Sequence, residues 1–216
     1  MITTLGPEDL VDVLRLQGRV VRTFGASGIW EHDEADLTRL FGLGEDFLAL
    51  GVRVGADLVG VSLSRVMRPD EVRPTLRSLP WNGQAAHIGL NTLSLPTRHT
   101  GPLMIRLLRA RHDHLRARGV HHLFGGVGPD NPVSLGCALR AGAIGVGHLG
   151  VPGGHEILLW SGHRPPSRDP TADEVLLPIT DLDGQGRLMR DGFAIRALVR
   201  SDRERVVLSP FRGPGS

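Results

Sequence analysis

Apolar positions recur along the chain at two periods, and their alternation sets out the elements. Over residues 7 to about 24, Leu10, Val13, Leu14, Val20 and Val21 fall at helical spacing behind the acidic pair Glu8 and Asp9, which predicts a first helix. Asp33 is placed to cap a second, short helix carrying Leu37, Leu40 and Phe41. The run "DFLALGVRVGADLVGVSLSRV" reads as two strands about a turn at 55–57. A proline-rich connection, "RPDEVRPTLRSLPWNGQ", precedes "AAHIGLNTLSLP", a strand that ends at Pro96.

The pattern then changes period twice more. "TRHTGP" opens a long helix with Met104, Leu107, Leu108 and Leu115 on one broad face, stopped at Gly119. "VHHLFGGV" is a short strand and "GPDNP" a turn, in which Asn131 followed by Pro132 signals the N-cap and first turn of another helix. That helix runs through Leu135 and Leu139 to Gly142. "AIGVGHLGV" and "HEILLWSG" are two further strands joined at 152–154. Beyond the polar, proline-rich "HRPPSRDP" come a strand over 175–180, a helix from 181 or 183 to 189, and strands over 194–199 and 206–209.

Alternating strands and helices with short joints predict an α/β protein. The expected organisation is a main domain over residues 1–163, a linker over 164–170 and a small appended element over 171–212. So short an appendage buries too little apolar surface to stand alone, so it should dock on the main domain or on a second subunit; a homodimer is one assembly this leaves open.

Composition narrows the function classes. A chain of 216 residues that is 40% hydrophobic and 22% charged can build a core without staples. The single cysteine, Cys137, excludes an intramolecular disulfide and points to a reducing compartment. Every basic residue is arginine or histidine, so lysine Schiff-base chemistry and a P-loop lysine are excluded. The net charge is +2, with no block of like charge to serve as a nucleic-acid arm, so no nucleic-acid partner is expected. No apolar run is long enough for a bilayer, and the N-terminus has no basic region before an apolar core; no membrane partner and a cytoplasmic location are expected. The histidines do not assemble a metal site: His112 and His114 are two apart on a helix, and His121 and His122 are adjacent on a strand. The arginines of the long helix, Arg106, Arg109, Arg111, Arg116 and Arg118, are expected on a solvated face.

Two stretches carry candidate chemistry. In "RHTGP" a strand leads into a helix whose first amides lack intrahelical partners and whose dipole favours an anion. Gly101 lets a phosphate approach the backbone, and Arg98 adds a fork of charged donors. The alternative is that Thr100 and Gly101 simply cap the helix. In the second stretch, Asn131 either caps its helix or also meets a ligand, with Ser134 and Ala138 on the same face at i+3 and i+7.

The order and spacing of these two stretches resemble those of the GNAT-type N-acetyltransferases, which move an acetyl group from acetyl-CoA to an amine. The signature of that superfamily, Arg or Gln, two residues, Gly, one residue, Gly or Ala, is met here by Arg98 and Gly101, with Leu103 in the last place. A second pattern is met by Asn131, Ser134, Arg140 and Gly142, while Ala138 and Ala143 stand where tyrosine and phenylalanine are usual. "VGPDNPVSL…LRAGA" followed by "GVPGGHEILLW" is similar to a bacterial subgroup of largely unassigned acceptor. The resemblance covers about residues 1–163 and is most specific over 85–161.

The resemblance implies a mixed, mostly antiparallel central sheet flanked by helices, and an acyl-CoA cosubstrate with no metal. The strand ending near Leu95 would pair with the pantetheine arm through the backbone of Leu93 and Leu95. Backbone groups from His99, Thr100, Gly101 and Leu103 would hold the pyrophosphate, Pro102 having no N–H to give. Asn131 would bond the pantetheine. The acceptor would be a small-molecule amine or a peptide, attacking the thioester directly. Such a reaction needs a neutral amine, a fixed donor for the developing oxyanion and a departing thiolate. A thiol has a reference pKa of about 8.5, so the thiolate can leave even with Ala138 in the tyrosine's place. Ser134 and Cys137 are the candidates to relay a proton, and His87 and Glu31 the candidates for the base, with Trp30 beside Glu31 in the acceptor loop. The alternative is a GNAT-type domain that has lost catalysis and serves as an acyl-CoA sensor or interaction module.

Overall fold

The computed structural model describes residues 1–25, 31–67, 86–95, 100–151, 154–161, 174–199 and 204–211, with only the backbone for Thr100 and Gly101. The chain divides into two compact units, Met1–Val66 with His87–Val120, and Met67–Ala86 with His121–Ser216.

The first unit contains β1 (Ile2–Thr4), α1 (Leu10–Phe24), α2 (Glu34–Phe41), β2 (Phe47–Val54), β3 (Asp57–Val66), β4 (Ala86–Ser94) and α3 (Thr100–Ala117). Strands pair antiparallel in the order β1-β2-β3-β4. β1 goes beyond the sequence pattern: three residues are too few to show an alternation, and β2 holds them by pairing Ile2 with Val52. α1 buries Val13, Leu16, Gln17 and Val20, the spacing of one helical face. The Asp33 cap forms, accepting from Asp36 N at 2.7 Å. Buried Gln17 clamps the chain just before α2, giving its amide to His32 O at 2.8 Å and accepting from His32 N at 3.0 Å. Leu37, Val61, Leu63, Leu107 and Leu115 are the centre of this core.

The ladder between β3 and β4 is irregular near its middle. Leu63 pairs with Asn91 but Ser64 pairs with Gly89, so Leu90 is an extra residue and β4 is bulged there.

The second unit contains β5 (His122–Val127), α4 (Pro132–Ala141), β6 (Ile144–Val151), β7 (Gly154–Ser161), β8 (Val175–Pro178), α5 (Leu182–Arg190), β9 (Phe193–Val199) and β10 (Arg205–Pro210). Its strands lie in the order β5-β7-β6-β9-β10-β8, again antiparallel at each described pair. The C-terminal strands therefore continue the sheet from the edge of β6, where Gly145 pairs with Ile195. Fully buried Gln185 ties α5 to this edge, donating to Pro178 O and Ile179 O at 2.9 Å each and meeting His148 Nε2 at 3.2 Å. Phe124, Leu135, Ile157, Leu158, Trp160 and Ile195 fill the core. The architecture is a mixed α/β fold, its strands mostly antiparallel and flanked by helices. Among the described residues no helix is long and apolar enough to cross a membrane.

Candidate functional site

β4 and the first turn of α3 are the two elements that the resemblance implies would meet the ligand. Leu95 N–H donates to Val59 O at 2.9 Å, and Ser94 pairs with Gly60. In an antiparallel ladder that combination makes Ser94 a non-hydrogen-bonded position, so its own N–H and C=O point away from β3. By the same alternation Thr92 points away and Leu93 points toward β3. The backbone groups of Leu93 and Leu95, expected to meet a ligand, thus face β3, while those of Thr92 and Ser94 face away from it; the side chains of Leu93 and Leu95 are buried.

Arg98 and His99 lie outside the described residues. α3 begins at Thr100, so the amides of its first turn that lack an intrahelical acceptor include those of Thr100 and Gly101, and Pro102 has none. Leu103, in the place where the superfamily signature has glycine or alanine, turns its side chain onto β3. It is buried, with its Cδ2 3.3 Å from where a Cβ would stand on Gly60. The missing Cβ of Gly60 makes the room, so a large residue at 103 leaves the first turn unobstructed by its own side chain.

Arg106, Arg109, Arg116 and Arg118 are exposed, as a solvated face requires, but Arg111 is not. Its side chain is buried on the face of α3 that packs on β3 and β4. Nη1 donates to Leu63 O at 3.1 Å and lies 3.4 Å from Thr92 Oγ1. Thr92 Oγ1 is in turn 2.9 Å from Ser62 Oγ. Burial pulls the guanidinium down to about 10, so it remains a cation at neutral pH. The sequence does carry the signal: Leu103, Leu107, Arg111 and Leu115 are spaced by four, which puts the arginine on the apolar stripe.

His87, a candidate base, is fully buried at the start of β4, on the strand face that carries Gly89 and Ser64. Burial first, then the charges of Arg118 and Arg111, push it down to about 4 against the pull of Asp46. An imidazole that weakly basic is a poor acceptor for an amine's proton. Glu31 is exposed, next to the clamped His32, and Trp30 lies outside the described residues.

In the second unit Asn131 caps α4, its Oδ1 accepting from Ser134 N at 3.1 Å, with Pro132 in the first turn. Ser134 is half-buried; Cys137 and Ala138 are buried in the body of the helix. Gly142 ends the helix at φ 107°, in the left-handed region. The same unit holds a group that the sequence pattern does not single out. Glu156 of β7 is half-buried and lays its carboxylate over Gly126 of β5, in the space a Cβ there would fill. β5 leaves that end to turn into Asn131. Among the described residues no three His, Cys, Asp or Glu side chains gather as metal ligands.

No protein-family profile matches the sequence, and no curated protein matches it either. Solved structures do match the fold. Ribosomal-protein-alanine N-acetyltransferase from Brucella melitensis is 18% identical at a TM-score of 0.57, over 75% of this chain and 99% of that one. The aminoglycoside acetyltransferase AAC(6')-Ib in complex with acetyl-CoA is 15% identical at 0.58, over 79% and 97%. An N-acetyltransferase from Staphylococcus aureus is 12% identical at 0.56, over 75% and 96%. At these identities the likeness is one of architecture: the chain has the GNAT-type N-acetyltransferase fold.

Proposed function

We propose that the protein is a CoA-dependent N-acyltransferase that moves an acetyl or other acyl group from acyl-CoA to the amine of a small molecule or peptide. The observation that carries the reading is the backbone alternation along β4. It turns the backbone groups of Thr92 and Ser94 away from β3, and the strand leads toward an α3 first turn with open amides and no obstructing side chain at 103. Those parts suit the amide-rich arm and the diphosphate of CoA, and AAC(6')-Ib, of the same fold, is known in complex with acetyl-CoA. Arg98 and His99 would add to the diphosphate site. Asn131, its Oδ1 committed to the cap, would meet the arm through Nδ2.

In the reaction the acceptor nitrogen forms its bond to the thioester carbonyl carbon, the carbon–sulfur bond breaks, and the amine's proton passes to a base. A backbone N–H of β4 would steady the oxygen as charge develops on it, a donor worth ~2.7–4 kcal/mol in comparable sites. With Ala138 in the tyrosine's place, the sulfur leaves as thiolate or takes a proton through Ser134 or Cys137, of which half-buried Ser134 is the better exposed. The base falls to a carboxylate or a water chain rather than to His87. Glu31 and Glu156 are the two to compare, by the pH dependence of turnover in Glu31→Gln and Glu156→Gln. Residues 1–163 would form the transferase body and 171–212 an addition to its sheet.

The decisive test is binding followed by turnover. CoA at a hundred times its dissociation constant should stabilise the fold by about 2.7 kcal/mol, a clear thermal shift. Gly101→Trp should abolish that shift while leaving the circular dichroism spectrum intact; unchanged affinity would place the cofactor elsewhere. Thiol release from acetyl-CoA over a panel of amines then separates enzyme from sensor. The sensor reading draws on one observation, the buried methyl of Ala138 in a chain with no tyrosine, and predicts tight binding without release.

A further inference from the structure

We propose that Arg111 is a positioning residue: from α3 it locks the bulged stretch of β4 in register, so that the backbone of Thr92 and Ser94 is presented to the arm of acyl-CoA. The inference rests on the acyl-CoA reading above and names the residue that readies the strand for it.

α3 meets β3 and β4 along one stripe. Leu103 and Leu107 pack at Gly60, and one helical turn further on the guanidinium of Arg111 lies against Gly89, Nη1 3.0 Å from the place of a Cβ there. Ser62 and Ser64 of β3 are fully buried on this face, and half-buried Thr92 of β4 joins them. A polar strip so placed is unusual beneath a helix that is otherwise leucine-lined. From Nη1 one contact goes to Leu63 O, at the point where the register shifts, and one to Thr92 Oγ1, which continues to Ser62 Oγ. Three elements, α3, β3 and β4, are thus joined on the two sides of the bulge.

The bulge explains why such a tie matters. An extra residue interrupts the ladder, and because the strand alternates, the pairing beyond it decides which backbone groups face β3. A slip of one residue would turn the backbone groups of Thr92 and Ser94 toward β3 and present those of Leu93 and Leu95 instead. It would also move Thr92 Oγ1 to the other face, away from the guanidinium. Arg111 therefore favours the one register in which the outward groups are those of Thr92 and Ser94. Packing alone does not account for the residue. Among the described residues no carboxylate neutralises it, its Nε finds no partner, and a leucine or methionine would complete the stripe without burying a charge.

Calorimetric titration of CoA into the full chain, beside hydrogen exchange of the peptide spanning 86–95, tests this. Arg111→Met should weaken CoA at least tenfold at a temperature where the variant is fully folded, and should speed exchange in that peptide. Arg111→Lys, which keeps a charge but loses the planar fork, should fall between. Leu37→Ala, which opens a cavity in α2 of the same unit, should lose stability yet keep the wild-type affinity and exchange in 86–95. If Arg111→Met fails to fold, Gly89→Ala carries the test, since its Cβ crowds the same guanidinium and should weaken CoA in the same direction. Wild-type affinity in Arg111→Met, or an equal loss in Leu37→Ala, overturns the proposal. A wild-type protein that does not bind CoA sinks the acyl-CoA reading and this cofactor role with it, and the exchange data then show separately whether the arginine holds the bulge.

Discussion

α3 and α4 each follow a strand and each begins at a stretch the sequence singles out, but they are seated in opposite ways. α4 is explained by packing and capping. Asn131 and Gly142 close its ends, Leu135, Cys137 and Ala138 are buried along its body, and Leu198 of β9 comes within 3.5 Å of where a Cβ would stand on Gly136. α3 has the leucines for an equally dry seat, yet its stripe is broken by Arg111 over Ser62, Ser64 and Thr92. A polar seat in a core is costly unless every group has a partner, and among the described residues Ser64 Oγ and Arg111 Nε have none. The two seats therefore differ in kind: α4 is held by apolar packing and its caps, α3 in part by a buried cation over polar side chains.

The comparison breaks if the two seats respond alike to substitution. The largest effect is expected from Leu135→Ala in α4, a fully buried side chain whose loss should remove ~2–5 kcal/mol of unfolding free energy. CoA affinity, measured well below the melting temperature, should not change, because the Leu135 side chain is fully buried in the core. A large fall in affinity at full folding would mean that α4's seat also shapes the site.

A smaller effect separates the seats by pH. His87 and His112 lie on the α3 side of the first unit and are held near 4, mainly by burial and then by nearby arginines. Their ordinary value is about 6.5, so as pH falls below that the unfolded chain takes up protons that the folded chain refuses. Their contribution is therefore intact above pH 6.5 and declines toward pH 4. Between pH 7.5 and 5.0 the urea-derived unfolding free energy should fall by ~2 kcal/mol for each of these two histidines, with almost no change between 7.5 and 8.5. His87→Gln should flatten that slope, whereas Cys137→Ala on α4 should leave it as it is. His32, His122 and His148 are lowered as well, by burial first, and add to the decline in the same direction.

The same contrast shows what is legible in the sequence. The caps at Asp33 and Asn131, the turn at 55–57, the stop at Gly142 and the strand–helix–two-strand order of the C-terminal element are all readable, because each rests on local backbone chemistry. The departures are tertiary. Residue type assigns Arg111 to solvent, although its i+4 spacing from Leu107 and to Leu115 places it on the buried stripe. Which backbone groups of β4 face β3 is set by its pairing with that strand, and neither this nor the bulge at Leu90 has a local signature in "HIGLNTLS". The signature departure at Leu103 looks like an obstruction in one dimension, because nothing local shows that Gly60, more than forty positions upstream, receives it. The starts of α3 and α4 are visible in the sequence, and the register of β4 on β3 is not.

The smallest effect is also the one that best sharpens the comparison. Asn131→Ala removes the oxygen that satisfies Ser134 N, which should cost about 1 kcal/mol of stability. If Asn131 is only a cap, Asn131→Asp restores that oxygen, and stability and CoA affinity should both return. If Asn131 also donates from Nδ2 to the pantetheine arm, aspartate repairs the helix but cannot donate when ionised, so stability returns while affinity stays low. The expected outcome is the second, a variant as stable as the wild type whose dissociation constant for CoA is several-fold higher. A wild-type constant in Asn131→Asp would reduce α4 to scaffold and leave the whole of the cofactor contact to β4 and the first turn of α3.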